Sequence, residues 1–380
     1  LENRMTKNEV RQLFPHLQTG KIYFNHASIG PLASPIVQKL NDYLFERSVS
    51  PIKNFNTFVR ASIGAKELLG KLINANPKRI AWVDNVSNGL NVLAQGLDWK
   101  SGDRIILNDL EFPSNVYPFQ NLKSYGVEID FVKSKGGKIL IEDLEKAITP
   151  KTKLLSISAV QFLSGFRADL KSIGELCRKN NIIFAVDAIQ AVSAVNIDVE
   201  EMQIDFLAGG SQKWLMALQG LSYIFLTEEL QKRINQKHLG WLSVKNPFDM
   251  LNYEQDLNDN ADRFQNGTMN AIGITALYES LKLFNSFGFE NLEKCIIENS
   301  VYLIDKLNEL GITPFVNSDD KSILSGIVSF KTENSQQLFE ELNDQNILGE
   351  LREGYIRFSP HYYNTKEEID IAIRTVKILL

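Results

Sequence analysis

The sequence predicts an α/β protein: a mostly parallel, seven-stranded sheet in a large domain, with a smaller α+β domain at the C-terminal end. Three observations carry this expectation. From about residue 79, seven short β-rich runs follow one another with mostly helical stretches between them: RIAWVDN, DRIILND, EIDFVKS, KLLSISA, IIFAVDA, IDFLAGG and LSYIFLT. Several of them are apolar on consecutive rather than alternate residues, the pattern of a strand covered by helices on both faces. Beyond about residue 275 the rhythm changes to long amphipathic helices and short strands. Length agrees, since 380 residues exceed the usual reach of one hydrophobic core and favour two domains sharing a cleft.

In chain order, the first ~20 residues look helical, and such a short segment cannot bury a core of its own. Residues 1–20 are therefore expected to pack on the small domain, with 21–270 forming the large domain and 271–380 the small one. The link from FLAGG to LSYIFL spans only about ten residues, short for a helical crossover, which predicts an antiparallel last strand. The segments ITALYESLKLFNSFG and NLEKCIIENSVYLIDKLNEL are the helices of the small domain, and GIVSFK and GYIRFS its strands. There is no internal repeat, low-complexity tract or Pro/Gly linker.

Composition excludes several classes of function. Lys+Arg 41 against Asp+Glu 46, a net charge of -5, offers no basic face for a nucleic-acid backbone. The apolar runs are far shorter than the ~20 residues of a membrane helix, and LENRMTKNEV lacks a signal-peptide pattern, so a cytoplasmic location is expected. Cys177 and Cys295 are too isolated for a disulfide framework, and His16, His26, His238 and His361 have no metal-ligand spacing, so no metal site is expected.

The chemistry begins with IIFAVDAIQAV, which places Asp187 at the C-terminal end of a buried run, where open α/β sheets bind ligands. A buried carboxylate there needs a cationic partner, and a protonated pyridine nitrogen would be one, keeping the ring an electron sink. The plainer alternative is a helix cap. Gln190, three residues on, could reach a ring hydroxyl. Lys213 ends DFLAGGSQK, where two glycines let the backbone pass close to a neighbour and Trp214 and Leu215 close the other side. Apolar surroundings favour the neutral amine that attacks an aldehyde, although most lysines are solvated surface residues.

Together with YFNHASIGPL, DNVSNGLN, LEFPSNVYP, SAVQFLSG, DRFQNGTMN and IRFSPHYYNT, the strings VDAIQAV and GGSQKWL resemble the class V aminotransferase family of fold-type I pyridoxal-phosphate (PLP) enzymes. That family includes cysteine desulfurases, selenocysteine lyases, isopenicillin epimerase-like proteins and kynureninases. The resemblance implies a Schiff base on Lys213, Asp187 on the pyridine nitrogen and Gln190 on the ring oxygen. Val86 and Ser87, entering a helix, would cradle the phosphate with their N–H groups, unless Ser87 is simply the N-cap. Gln212 matches another phosphate donor, and Phe112 falls where an aromatic ring stacks on the cofactor. Thr268 matches a residue that reaches across a homodimer to the partner's phosphate. Asn266 and Trp241 are candidates for the same wall, with ordinary loop packing as their alternative. Arg357 matches the arginine that grips the substrate carboxylate, its alternative being a surface salt bridge. Asn25 and His26 lie in an N-terminal strand that borders the substrate side in relatives.

The chain also departs from relatives. Thiolate desulfurases need a cysteine on the loop before the arginine, and NILGELREGYIRFS has none; Phe112 and Gln212 stand where those enzymes carry histidines. LEFPSNVYP and VQFLSG are closer to kynureninases, but the chain is short for that family. The expectation is an amino-acid aminotransferase working as a homodimer. A PLP-dependent lyase, hydrolase or epimerase on the same scaffold is the alternative, followed by a non-catalytic PLP-binding protein.

Overall fold

A computed structural model describes residues 4–49 and 51–379. All seven β-rich runs form strands of one sheet: β2 (Ile80–Val83), β3 (Arg104–Asn108), β4 (Glu128–Val132), β5 (Thr152–Ser158), β6 (Ile183–Asp187), β7 (Phe206–Gly210) and β8 (Ser222–Leu226), following a short β1 (Ile22–Tyr23). The order across the sheet is β2-β8-β7-β6-β5-β3-β4. β8 runs antiparallel to both β7 and β2, as its short connection requires, and the other pairs are parallel. β6, β7 and β8 are buried at every residue, which is why they are apolar without alternation.

Helices precede, connect and follow these strands. They are α1 (Lys7–Gln12), α2 (Ser34–Ser48), α3 (Phe55–Ile73), α4 (Val86–Gly96), α5 (Tyr117–Gln120), α6 (Ile141–Ala147), α7 (Leu170–Lys179), α8 (Glu228–Arg233), α9 (Ala271–Phe287) and α10 (Phe289–Glu309). The β6–β7 and β7–β8 connections contain no helix. The remaining elements are β9 (Val328–Phe330), α11 (Ser335–Asp344), β10 (Ile347–Leu348), β11 (Glu350–Arg352), β12 (Tyr355–Phe358) and α12 (Lys366–Leu379). β11, β12 and β9 form a three-stranded antiparallel sheet.

Two apolar clusters build the core, and the parity of the strands separates them. Phe184, Val186, Leu207 and Phe225 face one way, onto the cluster shared with α3, α9 and α10. Ile183, Ala185, Phe206 and Ile224 face the other, onto Val86, Leu90, Leu93 and Ala94 of α4. α4 comes close because Gly89 faces β8: a Cβ there would stand 2.7 Å from Ile224 Cγ2.

Residues 4–20 are less helical than expected, with six residues in α1 and a 3-10 turn at Pro15–Thr19. They are held by Arg11, which donates to the Tyr363 carbonyl at 2.7 Å and pairs with Glu368, and by Phe14 stacked on Tyr363 at 4.2 Å. β1 pairs in parallel with β10, so residues 22–23 extend the C-terminal region. Asn25 and His26 are not part of that strand, which ends at Tyr23; Asn25 makes a single bridge to Ser359 and His26 begins a turn.

Candidate active site

The C-terminal edge of the large sheet gathers most of the residues selected from sequence. Asp187 is the last residue of β6, 2% exposed, and its Oδ1 accepts from the Ile189 N–H at 3.0 Å. Burial drives its carboxyl above the ordinary range against the pull of that N–H; Glu111 adds to the rise and Lys213 opposes it. Lys213 follows β7 with its Nζ 5.7 Å from the centre of the Phe112 ring. Burial, then the nearby Arg357, lower the lysine's proton affinity, Asp187 works the other way and Arg352 adds to the lowering. The site therefore holds an amine poised toward its neutral form beside a carboxylate with one hydrogen bond.

The two glycines before Lys213 make room for protein. A Cβ on Gly209 would stand 2.4 Å from the Tyr223 hydroxyl, and one on Gly210 would press on Ile189. Gln212 donates no side-chain bond among the described residues, while its carbonyl receives the Gly30 N–H at 2.7 Å. Gln190 is fixed at both ends, its Oε1 accepting from Trp214 Nε1 at 2.8 Å and its Nε2 donating to the Ala27 carbonyl at 2.9 Å, which leaves one amide N–H for a ligand.

Asn85 caps α4, its side chain accepting the Asn88 N–H. Ser87 is therefore not the cap. Its hydroxyl donates to Ser114 at 2.9 Å, and the backbone N–H groups of Val86 and Ser87 stand in the first turn, where no intrahelical acceptor exists. A cavity of about 440 Å³ opens here, between Ser87, Ser114 and Tyr117. Phe112, 40% exposed, meets Phe162 edge-on at 5.3 Å.

Arg357 arrives from β12 and is 2% exposed, far from the surface salt bridge that was its alternative. Nη1 donates to the Phe162 carbonyl at 2.8 Å and Nη2 to Ser28 Oγ at 2.7 Å, while Nε is buried without a partner. Burial and the Arg352 cation lower its proton affinity to about 10. Cross-strand from it lies Glu350, whose Oε2 accepts from Ser28 Oγ at 2.8 Å and Asn25 Nδ2 at 3.3 Å.

His26 is fully buried, with Nδ1 on the Ser359 carbonyl at 2.9 Å and Nε2 on the Tyr363 hydroxyl at 2.8 Å. Burial and His361 hold it neutral. Its ring meets Trp214 at 6.3 Å, so it supports the wall behind Lys213. Trp241, Asn266 and Thr268 are not brought to Lys213 within one chain. Asn266 and Thr268 line a second cavity of about 550 Å³ with Asn88, Asn91 and Gln95, and Trp241 packs on Phe248 at 5.9 Å.

Sequence reasoning missed Glu111, Gln161, Ser28, Glu350 and Arg352. Glu111 carried a weaker signal than Asp187, an acid three residues beyond the apolar strand β3 rather than at its end, and Glu350 and Arg352 alternate along a strand that pairs with Arg357. Neither thiol is near this constellation: Cys177 is buried in α7 and pushed up to about 12 by burial, and Cys295 lies half-buried on α10.

Residues 22–371 match the family model described as aminotransferase class-V. An uncharacterized aminotransferase of Bacillus subtilis, YcbU, is 28% identical over 96% of each chain. A probable cysteine desulfurase of Borreliella burgdorferi is 28% identical over 94% of this chain and 91% of its own. Among solved structures, the cysteine desulfurase of Thermococcus onnurineus superposes with a TM-score of 0.89 at 22% identity, covering 100% of this chain and 99% of that one. The cystine C-S lyase C-DES, solved with cysteine persulfide, gives 0.86 at 24% identity, covering 96% of this chain and 99% of that one.

Proposed function

Since this chain belongs to the class V aminotransferase family, with the fold-type I architecture of PLP enzymes, we propose that it is an amino-acid aminotransferase that carries PLP on Lys213. The observation that bears most weight is the pairing at the strand ends: a lysine tuned toward its neutral amine and a buried carboxylate with a single hydrogen bond. The residues fit the group. Asp187 would pair with the pyridine nitrogen, Gln190 would offer its remaining N–H to the ring oxygen, and the first turn of α4 with Ser87 would hold the phosphate, with Gln212 beside it. Phe112 would cover the ring.

PLP supplies an electron sink for the charge left when a bond to Cα breaks. Arg357 binds the substrate carboxylate with the N–H groups that Phe162 and Ser28 leave free, which orients Cα toward Lys213. The free amine of Lys213 would take the proton from Cα as general base and, as its ammonium, give it up again as general acid. Phe112 and Phe162, in edge-on contact at 5.3 Å, would form the apolar wall on that side.

The proposal includes a homodimer, in which Thr268, Asn266 and Trp241 meet the partner's cofactor. The exposure of Trp241, Phe248, Met250, Leu251 and Tyr253, between 43% and 85%, supports a partner on that face. Among the described residues no helix is long and apolar enough to cross a membrane, and both unpaired thiols suit a reducing compartment such as the cytoplasm. A second reading is a lyase of the same cofactor, supported by the likeness of the fold to the cystine C-S lyase C-DES and compatible with the cysteine-free β11–β12 segment, since such an elimination needs no protein thiolate.

Screening the purified holoenzyme against amino acids decides between them. Transamination converts the cofactor to its pyridoxamine form in the absence of a keto acid, and the original absorbance returns when a keto acid is added. Continuous product release with an unchanged cofactor spectrum would refute the aminotransferase and leave the lyase.

A further inference from the structure

Glu111 has no part in the reaction described above, yet its surroundings are elaborate. It follows β3 at the same sheet edge as Asp187 and is 8% exposed. Its Oε1 accepts from the Ser158 backbone N–H at 2.8 Å, from Gln161 Nε2 at 3.1 Å and from Asn108 Nδ2. Its Oε2 accepts from Asn115 Nδ2 at 2.9 Å and from the Ser158 hydroxyl. Asn115 is itself held by the Ser156 hydroxyl at 2.6 Å. Every partner donates, and none is a lysine, arginine or histidine. The pocket therefore accommodates a carboxylate with dipoles and leaves its charge without a counter-ion, a costly arrangement in a protein interior.

The position of Ser158 gives that charge a target. Ser158 stands directly beside Asp187 in the parallel β5–β6 pair, so Glu111 grips the residue one strand away from the carboxylate that would face the pyridine nitrogen. The influence of Glu111 reaches Asp187, where it adds to the rise caused by burial. The charged groups acting on Asp187 are Glu111 and Lys213, and the buried Tyr223 phenol, raised by burial and by Asp187, stays neutral beside it. A second anion disfavours an isolated Asp187 carboxylate and favours a cation bound against it.

We propose that Glu111 is a positioning residue for the cofactor: acting through Asp187, its carboxylate holds the pyridine nitrogen protonated, while its donors fix the Phe112 loop over the ring. This rests on Lys213 carrying PLP. It adds a second carboxylate to the electron-sink machinery, one that never touches the ring.

The test uses holoenzyme loaded with PLP labelled with 15N in the ring, whose chemical shift reports directly on protonation of that nitrogen. In the wild-type protein the nitrogen should be protonated at neutral pH and titrate only toward the alkaline end of the range in which the fold is stable. In Glu111→Gln its deprotonation midpoint should fall by about one to two pH units, the effect of one nearby charge in a partly screened interior. Ser158→Ala, which keeps the charge and removes one donor, should lower the melting temperature and leave the nitrogen as in wild type. A Glu111→Gln protein that melts earlier but keeps the wild-type shift at every pH would overturn the proposal and make Glu111 purely structural. If that variant does not fold, Glu111→Gln/Asn115→Ser replaces the amide donor that faces the new amide with a hydroxyl able to accept from it, and failure of both to fold also decides for a structural role. Absence of lysine-bound label in the wild-type protein would instead refute the PLP reading itself.

Discussion

Replacing Arg357 by alanine should cost far more with an amino acid than with the corresponding amine. Two of the guanidinium's five N–H groups are engaged, by Phe162 and Ser28, which leaves a fork for a carboxylate. Each hydrogen bond of such a charge-assisted pair contributes about 1.5–3 kcal/mol, and the bonds already made to the protein lower the net gain from two to about 2–4 kcal/mol. The loss corresponds to about 30- to 1,000-fold in kcat/KM. Arg357→Lys keeps a charge without the fork and should fall between the two. The assay is stopped-flow absorbance of the bound cofactor, first with a reactive amino acid and then with its decarboxylated amine, alongside the PLP dissociation constant. The amine has no carboxylate to lose, so its rate and the PLP affinity should each stay within about threefold of wild type, below one hydrogen bond's worth. Equal losses with both substrates would refute carboxylate recognition and return Arg357 to a role in holding β12 against the Phe162 loop.

Further outcomes can be checked independently. Burial depresses His361 from 6.5 to about 3, so the unfolded chain takes up its proton first as pH falls; the stability this ring supplies is complete above about 6.5 and is lost toward about 3. In urea unfolding of the apoprotein, the advantage of wild type over His361→Gln should shrink by about 1.4 kcal/mol per pH unit across that window, and a pH-independent difference would contradict a buried neutral imidazole. Because burial and Arg357 lower the Lys213 ammonium, the rate of PLP uptake by apoenzyme should rise with pH and level off below the ordinary lysine range; a rise continuing through about 10.4 would count against the tuned amine. Phe112→Ala should weaken PLP retention by about 2- to 12-fold, the worth of one ring contact, with no change in affinity if Phe112 does not cover the cofactor. The Cys177→Ser/Cys295→Ser protein should keep any activity toward cysteine, since both thiols lie on helices away from Lys213, and its loss would require a thiolate at the site.

The local pattern of the chain determined a good deal by itself. Seven apolar runs became seven strands, and the short FLAGG–LSYIFL link forced the antiparallel one, because burial on both faces and loop length are written in neighbouring residues. The positions of Asp187 and Lys213 were legible for the same reason, one ending β6 and the other following β7 at the edge where open sheets bind ligands. Tertiary structure alone decided who meets whom. Arg357 reaches the Phe162 carbonyl across 195 residues and Ser28 across 329; His26, expected at the substrate's edge, closed both its nitrogens on Ser359 and Tyr363; Glu111 found Asp187 only because β5 lies between β3 and β6. Strand order and domain docking are set by the mutual fit of whole faces, a property of surfaces assembled from distant segments, and no window of sequence contains it.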